Sequence, residues 1–359
     1  MQMVALTRIS SSQLHRDYKA TAKVASLLHV VDSIPGISRI KKGTGFTYQL
    51  STGNTVKDKD TLIRIKKLAI PPAWTEVWIC EKDNGHIQAT GFDVKHRKQY
   101  KYHPQWNEVR NQTKFHRLIE FGNCLPALRK RIESDISSAT LTKDKVLATV
   151  VSLMEKTFIR VGNSEYEKLY GSYGLTTLKD GHVKINGGTI QFSFKGKKGI
   201  HHAITLKNKR LAKIVKACRD IPGKELFQYV DENGIRCSID SGMVNNYIRE
   251  ATGKEFTAKD FRTWAGTLTI LSCFKELGEA ENVSHAKKNV LTALDEVSLK
   301  LGNTRTVCRK YYVHPGIVKL YEDQQFQRYL KELDQTEDAD ETWELTGEEK
   351  VLMRILKKV

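Results

Sequence analysis

Apolar spacing changes along this chain of 359 residues, and the changes divide it into segments. Residues 1 to about 28 read as polar helix. From Gly36 to about Tyr102 the spacing shortens to that of strands broken by turns. Phe46-Thr47-Tyr48-Gln49-Leu50 alternates, Thr52-Gly53-Asn54 signals a turn, and Trp74, Val77, Trp78 and Ile79 begin another extended run. A helix is expected near Asp60 to Leu68, and the polar stretch from Tyr102 to Thr113, with Pro104 inside it, reads as a linker. Beyond it the helical period takes over. Val146, Leu147, Val150, Val151, Met154 and Phe158 form one stripe, predicting a helix that ends near Gly162 with Arg160 in its last turn.

Three strands follow. His182 to Ile185 leads through Asn186-Gly187, a hairpin signal, into Thr189 to Phe194. The third runs from Ile200 to Leu206, so Gly196-Lys197-Lys198-Gly199 becomes a hairpin tip. Thr257-x-x-Asp260 has the form of a capping box opening a helix with Phe261, Trp264, Leu268 and Leu271 on one face. The predicted class is α+β: a small β-rich N-terminal domain, residues 1–104, then a larger mainly α domain, residues 105–359, holding a short three-stranded antiparallel sheet. No internal repeat is visible.

With 40% hydrophobic and 28% charged residues the composition is that of a globular protein. Its net charge of +18 is unevenly spread. Residues 321–349 hold eleven acidic side chains against Arg328 and Lys331, a balance of −9 that leaves +27 elsewhere. Such an excess points to a polyanion, most simply nucleic acid, bound by phosphate neutralisation. The acidic segment itself reads as a solvated helical extension. Cys80, Cys124, Cys218, Cys237, Cys273 and Cys308 are scattered without zinc-ligand spacing, as expected of reduced, mostly buried thiols. Met1 to Arg8 lacks the apolar run of a signal peptide and no stretch is suited to a bilayer, so a cytoplasmic location is expected.

The candidate chemistry is one phenol, three cations and one amide in order along the chain: Arg160, Lys197, Arg262, Asn303 and Tyr312. A tyrosine hydroxyl, with a pKa of about 10, is a poor nucleophile unless fixed donors stabilise the charge that grows on its target. Taken singly, each residue has an ordinary reading. Arg160 could complement a helix C-terminus, Lys197 could be a solvated turn lysine, Asn303 a cap, and Tyr311 and Tyr312 amphipathic core residues. Arg262 stands out, because a cation early in a helix opposes the dipole. Asp58/Asp60 and Asp338/Asp340 read as solvated surface, not a metal site, and there is no Gly-x-x-x-x-Gly-Lys phosphate loop. His201 and His202 are adjacent on a strand, point oppositely and read as structural.

The ordered set Ile70-Pro71-Pro72-Ala73-Trp74, Arg97-Lys98-Gln99-Tyr100, Arg160-Val161-Gly162, Tyr173 to Leu178, the Lys197 hairpin, Lys259 to Thr263 and Cys308 to Pro315 resembles the type IB DNA topoisomerases. The likeness is to their compact, poxvirus-like bacterial form and covers roughly residues 30 to 315. It implies the DNA breaking-rejoining fold, double-stranded DNA as partner, a monomer closing on DNA as a clamp beside the nucleoid, and neither cofactor nor metal.

Residue by residue, the resemblance implies Tyr312 as nucleophile, joined to a DNA 3′ end. Arg160 and Arg262 would hold the non-bridging phosphate oxygens, and Lys197 would act as general acid. Asn303 stands where viral and nuclear relatives carry histidine, which leaves it an electrostatic role without proton transfer. Gln99, Tyr100 and Tyr102 match major-groove contacts, Arg97 and Lys98 would bind phosphate beside them, and Tyr166 and Lys259 are further DNA-contact candidates. A tyrosine recombinase shares this chemistry but usually carries His-x-x-Arg where this chain has Lys259-x-x-Arg262. A non-catalytic DNA-binding protein on the same scaffold would have lost a catalytic group, and none is missing here.

Overall fold

The computed structural model describes residues 17–94, 96–336 and 343–359. The chain forms two compact units, residues 1–117 and 118–359. Met1 to Arg8, most of the first expected helix, and Asp338 and Asp340 lie outside the described residues.

In the first unit, helix α1 (Tyr18–Val24) opens on Asp17, whose carboxylate accepts from the Ala20 N–H. Five antiparallel strands follow: β1 (Ile37–Lys42), β2 (Gly45–Gln49), β3 (Thr75–Ile79), β4 (Ile87–Phe92) and β5 (Lys98–Tyr102), in the order β2-β1-β3-β4-β5. Helix α2 (Lys59–Lys67), capped by Asp58, sends Ile65 into a core of Ile37, Val56, Val77, Ile79 and Ala89. β5 is an edge strand. Its alternation leaves Lys98, Tyr100 and Tyr102 exposed on one face.

The polar stretch expected to be a linker is helix. α3 (Pro104–Ile136) begins on Pro104, where a missing N–H removes no helical bond. Trp106 and Val109, one turn apart, pack against Ala22, Ala25 and Leu27. Two anchors among polar neighbours were too sparse to register as a helical stripe.

In the second unit, α4 (Lys143–Thr157) is buried nearly all round. It stops earlier than its apolar stripe predicted. Phe158 takes the left-handed conformation, φ 58°, so Arg160 lies beyond the helix and not in its last turn. Next come α5 (Ser164–Tyr170) and the antiparallel sheet β6 (Val183–Asn186), β7 (Thr189–Lys195) and β8 (His201–Lys207), close to the expected strands. α6 (Lys209–Arg219), the short pair β9 (Gln228–Val230) and β10 (Arg236–Ser238), and α7 (Ser241–Thr252) lead to α8 (Ala258–Leu277). The capping box of Thr257 and Asp260 is present at its start. The chain continues through α9 (Val283–Leu301), α10 (Arg305–Tyr311), α11 (Pro315–Glu322), α12 (Gln327–Asp334) and α13 (Gly347–Leu356).

This mixture of helix with small antiparallel sheets is the expected α+β class. The acidic segment departs from expectation. Glu349 is 2% exposed, and α13 buries Val351, Leu352, Met353, Ile355 and Leu356. A second capping box, Thr346 with Glu349, turns that carboxylate inward. No helix among the described residues is long and apolar enough to cross a membrane.

Candidate active site

Helix ends build the site. Arg262, early in α8, donates from Nη1 to the Phe158 carbonyl (2.6 Å) and from Nη2 to the Leu301 carbonyl (2.5 Å). Those oxygens terminate α4 and α9, so the guanidinium meets the negative ends of two helix dipoles. They offset the cost of a cation near the start of its own helix. Its Nε is buried with no hydrogen-bond partner among the described residues, an unmet donor in the guanidinium plane.

Arg160 is placed by two crossing backbone segments. Gly174 passes so close that a Cβ on it would lie 2.6 Å from the Arg160 carbonyl oxygen. The N–H groups of Leu175 and Thr176 donate to the carbonyls of Arg160 and Val161. The Arg160-Val161-Gly162 and Tyr173-to-Leu178 motifs are thus one structural unit. From there Arg160 Nη2 donates to the Gly302 carbonyl and to Asn303 Oδ1, both at 3.0 Å. Burial, and then the Arg262 charge, push Arg160 down to about 10.

Asn303 follows Gly302, which ends α9 in the left-handed conformation at φ 56°. Its N–H returns to the Ser298 carbonyl, closing the helix C-terminus. Tyr312 lies directly after α10, and α8 holds its backbone. The Thr267 hydroxyl donates to the Tyr312 carbonyl at 3.2 Å, and a Cβ on Gly266 would lie 2.5 Å from the same oxygen. One helix therefore carries Arg262 and, a turn later, the groups that seat Tyr312. The Arg262 guanidinium carbon stands 5.3 Å from the Tyr312 ring centroid. Tyr311 is 41% exposed and carries Lys310 over its ring.

Lys197 sits at the tip of the β7–β8 hairpin, where Gly196 bonds across to Ile200 and the Tyr173 N–H donates to the Lys195 carbonyl. Its Nζ lies 5.9 Å from the Tyr166 ring centroid. Burial, then the charges of Arg160, Lys198 and Arg262, hold its ammonium below the usual lysine range, against the pull of the Tyr312 phenol. Arg160, Lys197, Arg262, Asn303 and Tyr312 thus converge within the second unit, with Tyr166 at their edge. Three partly desolvated cations and an amide are suited to hold an anion.

Lys259 is exposed on the first turn of α8, and nothing places it against these residues. In the first unit, Arg97 and the residues of β5 divide between two faces. Arg97 and Gln99 both reach Asp93, at 2.5 and 3.1 Å. On the opposite face Lys98 pairs with Asp32 at 2.6 Å, and Tyr100 stacks on Tyr102 with centroids 5.7 Å apart. Among the described residues no cluster of three or more His, Cys, Asp or Glu could hold a metal ion.

Residues 103–339 match the model of the eukaryotic DNA topoisomerase I catalytic core, more than half the chain, and residues 45–93 match the bacterial DNA topoisomerase IB N-terminal domain. The chain is 34% identical over 297 residues to DNA topoisomerase 1B of Acanthamoeba polyphaga mimivirus, covering 80% of this chain and 88% of that protein. It belongs to the type IB DNA topoisomerases. DNA topoisomerase 1B of Vaccinia virus (strain Copenhagen) is 24% identical over 283 residues, covering 76% and 86% of the two chains. DNA topoisomerase 1 beta of Arabidopsis thaliana is 24% identical over 204 residues, 56% of this chain and 21% of its own length.

Sequence reasoning missed several groups around these residues. The carbonyls of Phe158 and Leu301 left no trace in side-chain patterns. His202, set aside as structural, packs against Gly302 beside Asn303. Glu349 and Arg129 form a buried pair lining the same cavity as Arg262, and the Thr346-x-x-Glu349 spacing is the sequence signal that could have found it.

Proposed function

We propose that the protein relaxes supercoiled double-stranded DNA of either sign by cutting and resealing one strand through Tyr312. The phenol oxygen attacks the scissile phosphorus and the bond to the 5′ oxygen breaks, leaving a 3′-phosphotyrosyl link. Lys197 donates a proton to the departing 5′ oxygen. Arg160 and Arg262 hold the non-bridging oxygens, and Asn303 adds a neutral hydrogen bond. The cut strand swivels about the intact one, driven by torsional strain, and the 5′ hydroxyl then attacks the phosphotyrosine to restore the strand. The covalent link conserves the phosphodiester's energy, so resealing requires neither ATP nor metal. The two domains close around the duplex as a clamp formed by a single chain, in the cytoplasm at the nucleoid. Arg97, Lys98, Gln99, Tyr100, Tyr102, Tyr166 and Lys259 contact the DNA.

The observation that carries this reading is the Arg262 guanidinium. It is buried with one donor unmet, it is anchored by two helix-terminal carbonyls, and it stands beside the ring of Tyr312. The test is supercoiled plasmid incubated with the protein in EDTA without ATP. Relaxation with a covalent adduct supports the proposal. Site-specific strand exchange without relaxation would point to a recombinase, and binding without any adduct to a non-catalytic protein.

A further inference from the structure

His202 occupies a slot between two glycines, each next to a residue of the site. A Cβ on Gly302, which precedes Asn303, would lie 2.6 Å from its Cε1. A Cβ on Gly196, which precedes Lys197, would lie 2.6 Å from its Cδ2 and Nε2. The ring stacks on Phe194 with centroids 5.1 Å apart and planes 24° from parallel. Only glycine leaves room for an imidazole at these contacts. The α9–α10 turn that His202 meets also receives Arg160, through the Gly302 carbonyl and Asn303. His201, on the opposite face of β8, lies 3.4 Å from the Ser193 hydroxyl.

We infer that His202 is a positioning residue, a wedge that sets the Lys197 hairpin at a fixed distance from the Gly302–Asn303 turn and so aims the Lys197 ammonium at the leaving oxygen. The inference rests on the reading of Lys197 as general acid. Burial, then Arg160, Arg262 and His201, hold the imidazole below the usual histidine range, so near neutral pH the wedge adds no further charge to the cation cluster. His202 touches no reacting atom. The inference predicts an effect on proton donation by Lys197, whereas general loosening of the site would also displace Arg160 and Asn303.

The test is single-turnover cleavage of two otherwise identical DNA duplexes. One has an ordinary scissile phosphodiester and the other a bridging 5′ sulfur, a leaving group that departs without protonation. His202→Ala should cleave the ordinary duplex at least about 10-fold slower, since a misplacement of about 1 Å costs up to about 100-fold. It should cleave the sulfur duplex within about threefold of the wild-type rate, a margin of about 0.7 kcal/mol in barrier height. Thermal melting and duplex affinity are measured alongside, and if the alanine variant does not fold, His202→Gln serves for the same comparison. Equal slowing on both duplexes, or no slowing on either, overturns the inference. Lys197→Ala is the control for the underlying reading. If sulfur does not rescue Lys197→Ala, the general-acid assignment fails and the inference with it. If sulfur rescues Lys197→Ala but not His202→Ala, only the inference fails.

Discussion

Replacing Glu349 should loosen the part of the catalytic unit that lines the same cavity as Arg262. The carboxylate accepts from Arg129 Nη1 and Nη2 at 2.8 and 2.7 Å, from Trp264 Nε1 at 3.0 Å and from the Thr346 N–H at 3.0 Å. Arg129 also reaches Glu155 on α4, so its guanidinium ties α3 to α4 and α13, and Trp264 brings α8 to the same Glu349 carboxylate. Removing one partner of a buried pair costs about 3–5 kcal/mol, and the retained Glu155 lowers the expectation for Glu349→Ala to about 2–4 kcal/mol. Glu349→Gln keeps the cap and an acceptor for Trp264 but loses the charge-assisted bonds, so about 1–2 kcal/mol is expected. Burial opposes ionisation of Glu349, yet the Arg129 bonds outweigh it and hold the carboxyl below the usual range. The pair therefore stabilises the fold at pH values above the unfolded carboxylate pKa of about 4.3, and loses its effect as pH falls through the lower folded value. Urea unfolding followed by tryptophan fluorescence, with the slope unchanged, measures both variants at pH 7 and in acid. A loss below about 1 kcal/mol for Glu349→Ala, or a wild-type-to-Gln difference that grows on acidification, would refute the reasoning.

Further tests address the site directly. Tyr312→Phe should abolish the covalent DNA adduct and Tyr311→Phe should retain it; denaturing gels of an end-labelled duplex decide between them, and the reverse outcome sinks the assignment. Gly302→Ala and Gly253→Ala both place a side chain at a left-handed helix end, φ 56° and 63°, but only the first meets another group. Gly253→Ala should cost about 1 kcal/mol from backbone strain alone, and Gly302→Ala measurably more, with cleavage slowed through the displaced His202. Equal melting shifts would show that the slot has slack. Lys197 acts while protonated and its pKa is lowered, so in free-enzyme kinetics the alkaline limb should fall below the ordinary lysine value of about 10.4. Lys197→Arg should move that limb upward, and an unchanged limb would assign the titration to another group.

Strong local signals were legible in the chain. The β6–β7–β8 hairpins, the Thr257 box, helix α2 and the order of the five site residues all follow from turn chemistry, apolar period and motif. Where the reading went wrong, a tertiary contact outweighed a local preference. The α4 stripe ran on through Phe158, yet that residue turns left-handed and gives its carbonyl to Arg262. The polar run after Pro104 became helix because Trp106 and Val109 found partners near residue 25. The acidic segment ends in a buried helix because Arg129, far away in sequence, neutralises Glu349.

Composition and motif therefore determined the chemistry on offer: a basic protein with a tyrosine, three cations and an amide, in the order of one enzyme family. The motif singled out Tyr312, but it could not tell which groups face its ring, since neighbours in sequence differ only in where the helix end turns them. The tertiary structure settled that, along with the carbonyls that anchor Arg262 and the glycine slot that admits His202. Hydrogen bonds from backbone oxygens and close approaches to missing side chains depend on distances across the fold, and residue identity does not encode them.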